Sequence, residues 1–194
     1  GQTAEHVARK YKIDRESQDR FALWSQQKWA AADELGLFND ELIPVEVPQR
    51  RGDPIIVTQD EHPRPETTLE KLSKLRPVFS TDDKGTVTAG NSSGVNDGAC
   101  ALVLANADLV ASLGKEPLAL VGPAAAAGVE PKYMGMGPVA ATAKCLDRAG
   151  LDLSDIDVIE LNEAFAAQSV ACVREMGLEE ANVNPKGGGI AIGH

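Results

Sequence analysis

Cysteine is scarce in this sequence, and the few cysteines are widely spaced. The 194 residues include only Cys100, Cys145 and Cys172, with no CxxC pair among them. An odd number of separated cysteines in apolar surroundings argues against a zinc site or a dithiol redox centre, and it is typical of a reducing compartment. We therefore expect no metal site, and we expect all three cysteines to be small, buried core residues.

Long apolar runs are also lacking. No stretch approaches the roughly 18 residues that are needed to cross a bilayer. The first residues, Gly1 to Glu5, do not have the basic and then apolar pattern of a signal peptide. These absences predict a soluble, cytoplasmic protein without a membrane partner.

Basic residues are fewer than acidic ones in this sequence. Nineteen Lys and Arg against 29 Asp and Glu give a formal net charge of -10. Such a field repels phosphate backbones, so nucleic acid is not an expected partner. Residues 1–80 nevertheless contain 12 of the 19 basic residues, against 14 acidic ones. A local anion-binding site, if there is one, belongs in this first part.

Residues 1–80 contain only 3 of the 18 glycines, and their pattern is mainly helical. Asp14 is a good N-cap for an amphipathic helix over residues 15–35 that ends at Gly36. The pattern is β-like over residues 42–47, and Pro44, Pro48, Pro54, Pro63 and Pro65 predict an irregular connector. A capping box that begins at Thr67 then predicts a short helix before Pro77.

Residues 81–194 alternate short apolar runs with helical stretches, which is typical of an α/β unit with a parallel or mixed sheet. Three runs are interpreted as strands: residues 99–104, 118–125 and 158–161. Helices are expected from Pro138 to a stop at Gly150 and over residues 164–176, with a stop at Gly177.

Three segments contain side chains suited to chemistry. Residues 184–194 include three consecutive glycines and His194, which could be a general acid or base or only the neighbour of a glycine turn. Asn162 follows a predicted strand as a helix begins, where its amide could cap the helix or hold an oxyanion. Residues 85–98 form a small-residue loop that could be only a turn or could let the backbone approach a slender ligand; their spacing is not that of a P-loop.

Taken in this order, the three segments resemble those of the thiolase family. Residues 1–9 resemble the start of the family's loop domain, residues 75–79 its final stretch, and residues 134–138 a segment of its C-terminal domain. The resemblance implies a thiolase-like layered α/β/α sheet with a mainly helical loop domain. It divides the chain into a loop domain over residues 1–80, the end of the N-terminal domain over 81–115 and the first part of the C-terminal domain over 116–194.

The resemblance also implies an acyl-CoA C-acyltransferase, which catalyses the reversible Claisen condensation and thiolytic cleavage of 3-ketoacyl-CoA. Coenzyme A is then a substrate and product, and no cofactor is expected. His194 is similar to the residue that activates the nucleophilic cysteine and helps to bind the thioester oxygen. Asn162 is similar to the residue that holds the water of the oxyanion hole. Homodimers or homotetramers are usual in the family.

The family's loop domain holds coenzyme A, and the resemblance assigns eight residues to that ligand. They are Arg64 at the nucleotide end, Leu75, Phe79, Ala89, Ser93 and Gly94 along the pantetheine, and Met134 and Phe165 near the acyl group. Arg64 could instead be a solvated surface residue, and Leu75 and Phe79 could serve ordinary core packing.

The sequence departs from the family in its cysteines. Thiolases use one reactive cysteine well before the region that matches Gly1 and another well after the one that matches His194, and neither motif is present. We expect an internal piece of a thiolase subunit that is inactive by itself. A non-catalytic coenzyme A-binding or oligomerisation module on the same scaffold is the alternative.

Overall fold

Two helices, α1 (Gln2–Lys10) and α2 (Arg15–Glu34), begin the fold in a computed structural model that describes residues 1–80, 82 and 84–194. The carboxylate of Asp14 accepts a hydrogen bond from the Ser17 amide at 2.7 Å and so caps α2. After α2 the chain turns at Gly36, whose φ is +67°. The predicted long helix and its cap are confirmed.

A short antiparallel hairpin follows, formed by β1 (Val45–Val47) and β2 (Ile55–Val57). An irregular connector was expected over β2. Pro48 and Pro54 lie just outside the paired residues, where a missing amide donor breaks no ladder bond. The hairpin is exposed on both strands and does not contribute to the core.

The next helix, α3 (Leu69–Ser73), begins one residue later than the sequence suggests. Its N-cap is Thr68, which accepts a hydrogen bond from the Lys71 amide at 3.2 Å. The hydroxyl of Thr67 instead donates to the Arg64 carbonyl at 2.7 Å. The helix begins after Thr68 even though only Thr67 has a glutamate three residues later, so the capping box expected at Thr67 is wrong by one position.

Four helices form the second half of the chain: α4 (Ala107–Ser112), α5 (Gly137–Ala149), α6 (Ala166–Met176) and α7 (Gly189–Ile192). Short 3₁₀ turns lie at Pro131–Met136, Leu153–Asp155 and Glu180–Asn182. Gly150 and Gly177 follow α5 and α6 with φ near +66° and +65°, which confirms both predicted helix stops.

The strands predicted over residues 99–104 and 118–125 are not formed. Both segments lack regular secondary structure and are largely exposed, and no described residue forms a ladder or bridge with them. Among the described residues, only side chains of α5 donate to their backbone, since Cys145 and Arg148 donate to the carbonyls of Pro123 and Ala124. Residues 158–161 contribute only an isolated parallel bridge between Ile159 and Val183. A β-strand forms by hydrogen bonding to a neighbouring strand. The described part of the chain contains no such neighbouring strand for these apolar runs.

The core lies between the helices. Val7 of α1 and Val170 of α6 are buried there with Val87 and Ile190. No helix in the described part of the chain is both long and apolar enough to cross a membrane. A domain boundary was expected between residues 80 and 81, and Thr81 lies outside the described residues.

A chain of polar contacts fixes the loop over residues 85–98 against the helices. Arg15 donates to the Asp19 carboxylate at 2.8 Å and to the carbonyls of Leu72 and Leu75 at 2.7 and 2.9 Å. The other carboxylate oxygen of Asp19 accepts from the buried Asn91 amide at 2.9 Å. Helix α2 therefore holds the end of α3 on one side and the glycine-containing loop on the other.

Candidate active site

His194 and Asn162 meet at one place in the structure. The Asn162 side-chain nitrogen lies 3.0 Å from Nε2 of His194. An amide nitrogen donates, so this contact is a hydrogen bond when Nε2 of His194 carries no proton. The backbone amide of His194 donates to the Gly94 carbonyl at 2.9 Å. All three sequence segments singled out above thus converge here.

The segments are joined by further backbone contacts. Ser93 donates to the Ala164 carbonyl through its amide at 3.2 Å and its hydroxyl at 3.0 Å. The Ala166 amide donates to the Asn91 carbonyl at 2.9 Å. Phe165 is the N-cap residue of α6, so the interpretation of Asn162 as its cap is wrong and the Asn162 amide is free to face His194.

A cavity of about 460 Å³ opens beside this pair. Asn162 and His194 line it together with Met134 and Phe165, and residues of α1 and α6 complete its mostly apolar walls. No cysteine is among the described residues that line it. The structure therefore places two polar groups at the edge of an apolar space, which is the usual character of a small-molecule site.

A second cavity of about 620 Å³ contains all the remaining residues that the resemblance assigned to coenzyme A. They are Arg64, Leu75, Phe79, Ala89, Ser93 and Gly94. Two residues that the sequence reasoning did not single out, His62 and Lys71, line it too. Lys71 is one of the 12 basic residues among residues 1–80, and that basic bias was the only sequence signal for it.

The two cavities adjoin at a pair of aromatic rings. Phe79 of the larger cavity and Phe165 of the smaller one pack edge to face, with ring centroids 5.9 Å apart. Leu75 and Phe79 are each 39% exposed, so neither is an ordinary core residue. An elongated ligand could therefore pass from Arg64 along these side chains towards Asn162 and His194.

Beneath the site lies a buried carboxylate that the sequence reasoning left without a role. Glu163 is 1% exposed and accepts hydrogen bonds from Ser25 at 2.6 Å, Asn184 at 2.7 Å and the Ile190 amide at 3.0 Å. Ser25 and Asn184 were also missed. Their sequence separations from Glu163, 138 and 21 residues, leave no local pattern that would reveal the contacts.

Glu163 influences the pKa values of two neighbouring side chains, Lys28 and Glu160. Burial lowers the pKa of Lys28, against the opposing attraction of Glu163 and other carboxylates. Burial, and then repulsion from Glu163, raises the pKa of Glu160. Lys28 donates to the Val183 carbonyl at 2.7 Å, so its ammonium contacts backbone rather than a carboxylate.

The cysteines differ from one another in burial. Cys172 is buried and donates to the Gly135 carbonyl at 3.3 Å, and burial raises the pKa of its thiol to about 11. Cys145 is half-buried and Cys100 is exposed. The expectation of a core position is wrong for Cys100, because no described strand covers its segment, and for Cys145, which is only half-buried and lies outside the core. The described residues contain no cluster of three or more metal-ligating side chains.

Comparison with known proteins assigns the chain to a family. Residues 1–108 match the thiolase N-terminal domain, and residues 115–194 match the thiolase C-terminal domain. The chain belongs to the thiolase family. A probable acetyl-CoA acyltransferase of Staphylococcus epidermidis is 51% identical over all 194 residues, which are 49% of that protein. The chain spans about half the length of the curated relatives it matches.

Solved structures show the same fold. A crystal structure of the Bacillus anthracis acetyl-CoA acetyltransferase matches 100% of this chain and 48% of its own, with a TM-score of 0.96 and 43% identity. Human mitochondrial 3-ketoacyl-CoA thiolase, solved in complex with CoA, matches 100% of this chain and 47% of its own, with a TM-score of 0.91 and 49% identity. The thiolase-like α/β fold is confirmed.

Proposed function

We propose that this chain provides the coenzyme A site and the oxyanion-binding pair of an acyl-CoA C-acyltransferase of the thiolase type. Its reaction is the reversible Claisen condensation and thiolytic cleavage of 3-ketoacyl-CoA. The observation that carries the proposal is the contact of Asn162 with His194 at the edge of a cavity that adjoins a second, larger one.

The pair suits the charge that this chemistry develops. Attack on a thioester, or formation of its enolate, places negative charge on the thioester oxygen, and preorganised donors stabilise that charge. The Asn162 amide is such a donor, directly or through a water. Once Nε2 of His194 is released from its contact with Asn162, it can accept a thiol proton.

The reactive cysteines are not among the residues lining the small cavity. Cys172 is protonated at neutral pH because its pKa is about 11, which suits a core residue and not a nucleophile. In this proposal the family's two reactive cysteines belong to polypeptide outside these 194 residues. Relatives about twice as long as this chain support that assignment.

Coenzyme A is proposed to lie across both cavities. Arg64 is exposed at the larger cavity, where its guanidinium can bind phosphate oxygens of the nucleotide end. The pantetheine would follow Leu75, Phe79, Ala89, Ser93 and Gly94, and the acyl group would reach Met134 and Phe165. A relative 49% identical to this chain has been solved with CoA, which supports the ligand.

The remaining assignments follow from the family resemblance. We propose the division into residues 1–80, 81–115 and 116–194, assembly as a homodimer or homotetramer, and a cytoplasmic location. Coenzyme A acts as substrate and product in this proposal, and no separate cofactor is invoked.

Titration of coenzyme A into the chain, followed by calorimetry, tests the binding site. Arg64→Ala removes a charge-assisted contact and should weaken binding about tenfold, equivalent to about 1.4 kcal/mol. Arg50→Ala is the matched control, because Arg50 is exposed and lines neither cavity. Equal affinities for the two variants would overturn the assignment of Arg64.

Acyl transfer by the complete thiolase polypeptide tests the pair. Asn162→Ala should lower kcat about 10²- to 10³-fold, as expected on loss of an oxyanion-hole donor. The alternative, a non-catalytic coenzyme A-binding or oligomerisation module, is favoured by the absence of cysteine among the described residues of the small cavity. Coenzyme A binding without any acyl transfer by the complete polypeptide would support that alternative.

A further inference from the structure

Glu163 is the most deeply enclosed carboxylate near the site, and no cation neutralises it at salt-bridge distance among the described residues. One of its oxygens, Oε2, accepts from the Ser25 hydroxyl at 2.6 Å and from the Ile190 amide at 3.0 Å. The other, Oε1, accepts from the Asn184 side-chain amide at 2.7 Å. Three donors therefore solvate the carboxylate in place of water.

These donors come from three parts of the chain. Ser25 belongs to α2, Asn184 to the loop before the glycines, and Ile190 to α7. Asn162 immediately precedes Glu163, and His194 follows Ile190 by four residues. One carboxylate thus links the segment that ends in Asn162 to the short helix that leads to His194.

Asn184 fixes the orientation of this link. Its side-chain oxygen accepts from the Leu161 amide at 2.6 Å, while its nitrogen donates to the Leu161 carbonyl at 2.8 Å and to Glu163. Rotating the amide by 180° would lose all three bonds. Asn184 has a φ of +48°, in the left-handed region that asparagine tolerates better than most residues.

The backbone of Gly188 packs directly against the carboxyl group of Glu163. Its amide donates to the Ser25 hydroxyl at 3.1 Å. A Cβ at this position would lie 2.5 Å from the Glu163 carboxyl carbon, so only glycine allows the backbone to pass this close.

We propose that Glu163 is a positioning residue for the Asn162 and His194 pair. By accepting hydrogen bonds from Ser25, Asn184 and Ile190, its carboxyl group sets the distance between the two segments and, through the Asn162 contact, the tautomer of His194. The inference rests on the proposed function, in which this pair binds the thioester oxygen. It adds a buried residue that touches neither ligand nor reacting atoms.

The change Glu163→Gln is a sharp probe because it keeps the shape of the side chain. The neutral amide has one acceptor oxygen and one donor nitrogen. If the oxygen faces Ser25 and Ile190, the new nitrogen meets the Asn184 nitrogen. If the amide is reversed, the new nitrogen meets the Ile190 amide. Either orientation brings two donors together, at Asn184 in the first case and at α7 in the second, and should move that segment relative to Asn162.

Nitrogen-detected NMR of the histidine rings in the 194-residue chain provides the test. The chain contains three histidines, His6, His62 and His194. In the parent chain His194 should show an acceptor Nε2 and a protonated Nδ1. In the Glu163→Gln variant it should show a mixture of both tautomers, while His6 and His62 keep their signals.

Glu175→Gln is the matched control, since Glu175 is exposed on α6 and forms no side-chain contact to Asn184, Ser25 or Ile190. It should leave His194 unchanged. A folded Glu163→Gln chain, with a melting temperature within a few degrees of the parent and unchanged His194 signals, would overturn the proposal.

A second variant covers the case in which Glu163→Gln does not fold. Ser25→Ala removes one donor to the carboxylate and the acceptor for the Gly188 amide, and it should shift His194 in the same direction but less. No shift in that variant would also overturn the proposal. If His194 of the parent chain itself lacks the protonated Nδ1, the proposed oxyanion pair fails, which is a separate result.

Discussion

At the scale of single residues, Arg15 is the cation on which the wall of the larger cavity most depends. It joins Asp19, which is nearly buried, to two backbone carbonyls at the end of α3. Arg15→Ala should lower the free energy of unfolding by about 3 kcal/mol, because it leaves a buried carboxylate without its cation. Chemical denaturation measures the effect.

Arg20 provides the matched control for that prediction. It pairs with Glu16 at the same spacing on the same helix, with a nitrogen-to-oxygen distance of 2.6 Å, but both side chains are exposed. Arg20→Ala should cost no more than about 0.5 kcal/mol. Equal losses for the two variants would show that the contacts of Arg15 with Asp19 and α3 do not stabilise the fold.

The thiols offer a second prediction at this scale. Burial raises the pKa of Cys172 to about 11, so at pH 8 only about one thousandth of that thiol is the reactive thiolate. Iodoacetamide at pH 8 should modify exposed Cys100 first and leave Cys172 unmodified until the chain is unfolded. Peptide mass spectrometry follows each site, and early modification of Cys172 in the folded chain would contradict the burial shown here.

The site itself was only partly visible in the sequence. Asn162 and His194 were found because each lies in a short segment with a recognisable residue pattern. Glu163 belongs to the same segment as Asn162, yet its role depends on Ser25 in a distant helix. Contacts over such separations arise from packing, which no local pattern encodes.

At the scale of secondary-structure elements, α2 depends on its N-terminal cap. The Ser17 backbone amide donates to Asp14 at 2.7 Å, and this bond holds the pKa of that carboxyl below its usual 3.8. Asp14→Ala should lower the free energy of unfolding by about 1 kcal/mol at pH 7. Because the pKa is lower in the folded state, the ionised cap stabilises above about pH 3.8, and this contribution is lost as the pH falls through the folded-state value.

The last turn of the same helix provides a control, because a negative charge there interacts unfavourably with the helix dipole. Asp33 is exposed near the negative end of the helix dipole. Asp33→Ala should be neutral or stabilising by a few tenths of a kcal/mol. Thermal unfolding at pH 7 and pH 3 compares both variants with the parent, and an equal loss for Asp33→Ala at pH 7 would refute the capping argument.

Helices were more predictable than strands in this chain. Asp14, Gly150 and Gly177 mark helix ends through contacts within one or two turns, so their signals are local. The capping threonine was misplaced by one residue because Glu70 favours a capping box at Thr67, whereas the adjacent Thr68 caps the helix without one. The hairpin and the apolar runs depended instead on which segments lie side by side, and apolar composition alone does not specify a neighbour.

At the scale of the whole molecule, apolar character is unevenly distributed. Val103 and Leu118 are fully exposed, at 99% and 107%, whereas Val170 and Ile190 are each 2% exposed. The exposed group belongs to the two runs that the sequence predicted as buried strands. Their backbone amides, over residues 95–105 and 116–130, donate no hydrogen bond to any described residue.

This contrast leads to a prediction for hydrogen exchange. Amides over residues 95–105 and 116–122 should exchange at nearly the rate of an unstructured peptide, because neither burial nor hydrogen bonding protects them. The amides in the buried part of α6, which are hydrogen bonded within the helix, should exchange orders of magnitude more slowly. Mass spectrometry of peptides from the intact chain separates the two groups.

Performing that exchange at two protein concentrations distinguishes the causes of any protection. Protection of residues 99–104 that increases with concentration would mean that copies of the chain pair through their exposed backbone, as unpaired strand edges tend to do. Protection as strong as that of α6 and independent of concentration would contradict the structure. It would mean that residues 99–104 find a neighbouring strand within the same chain, as the apolar pattern alone predicts.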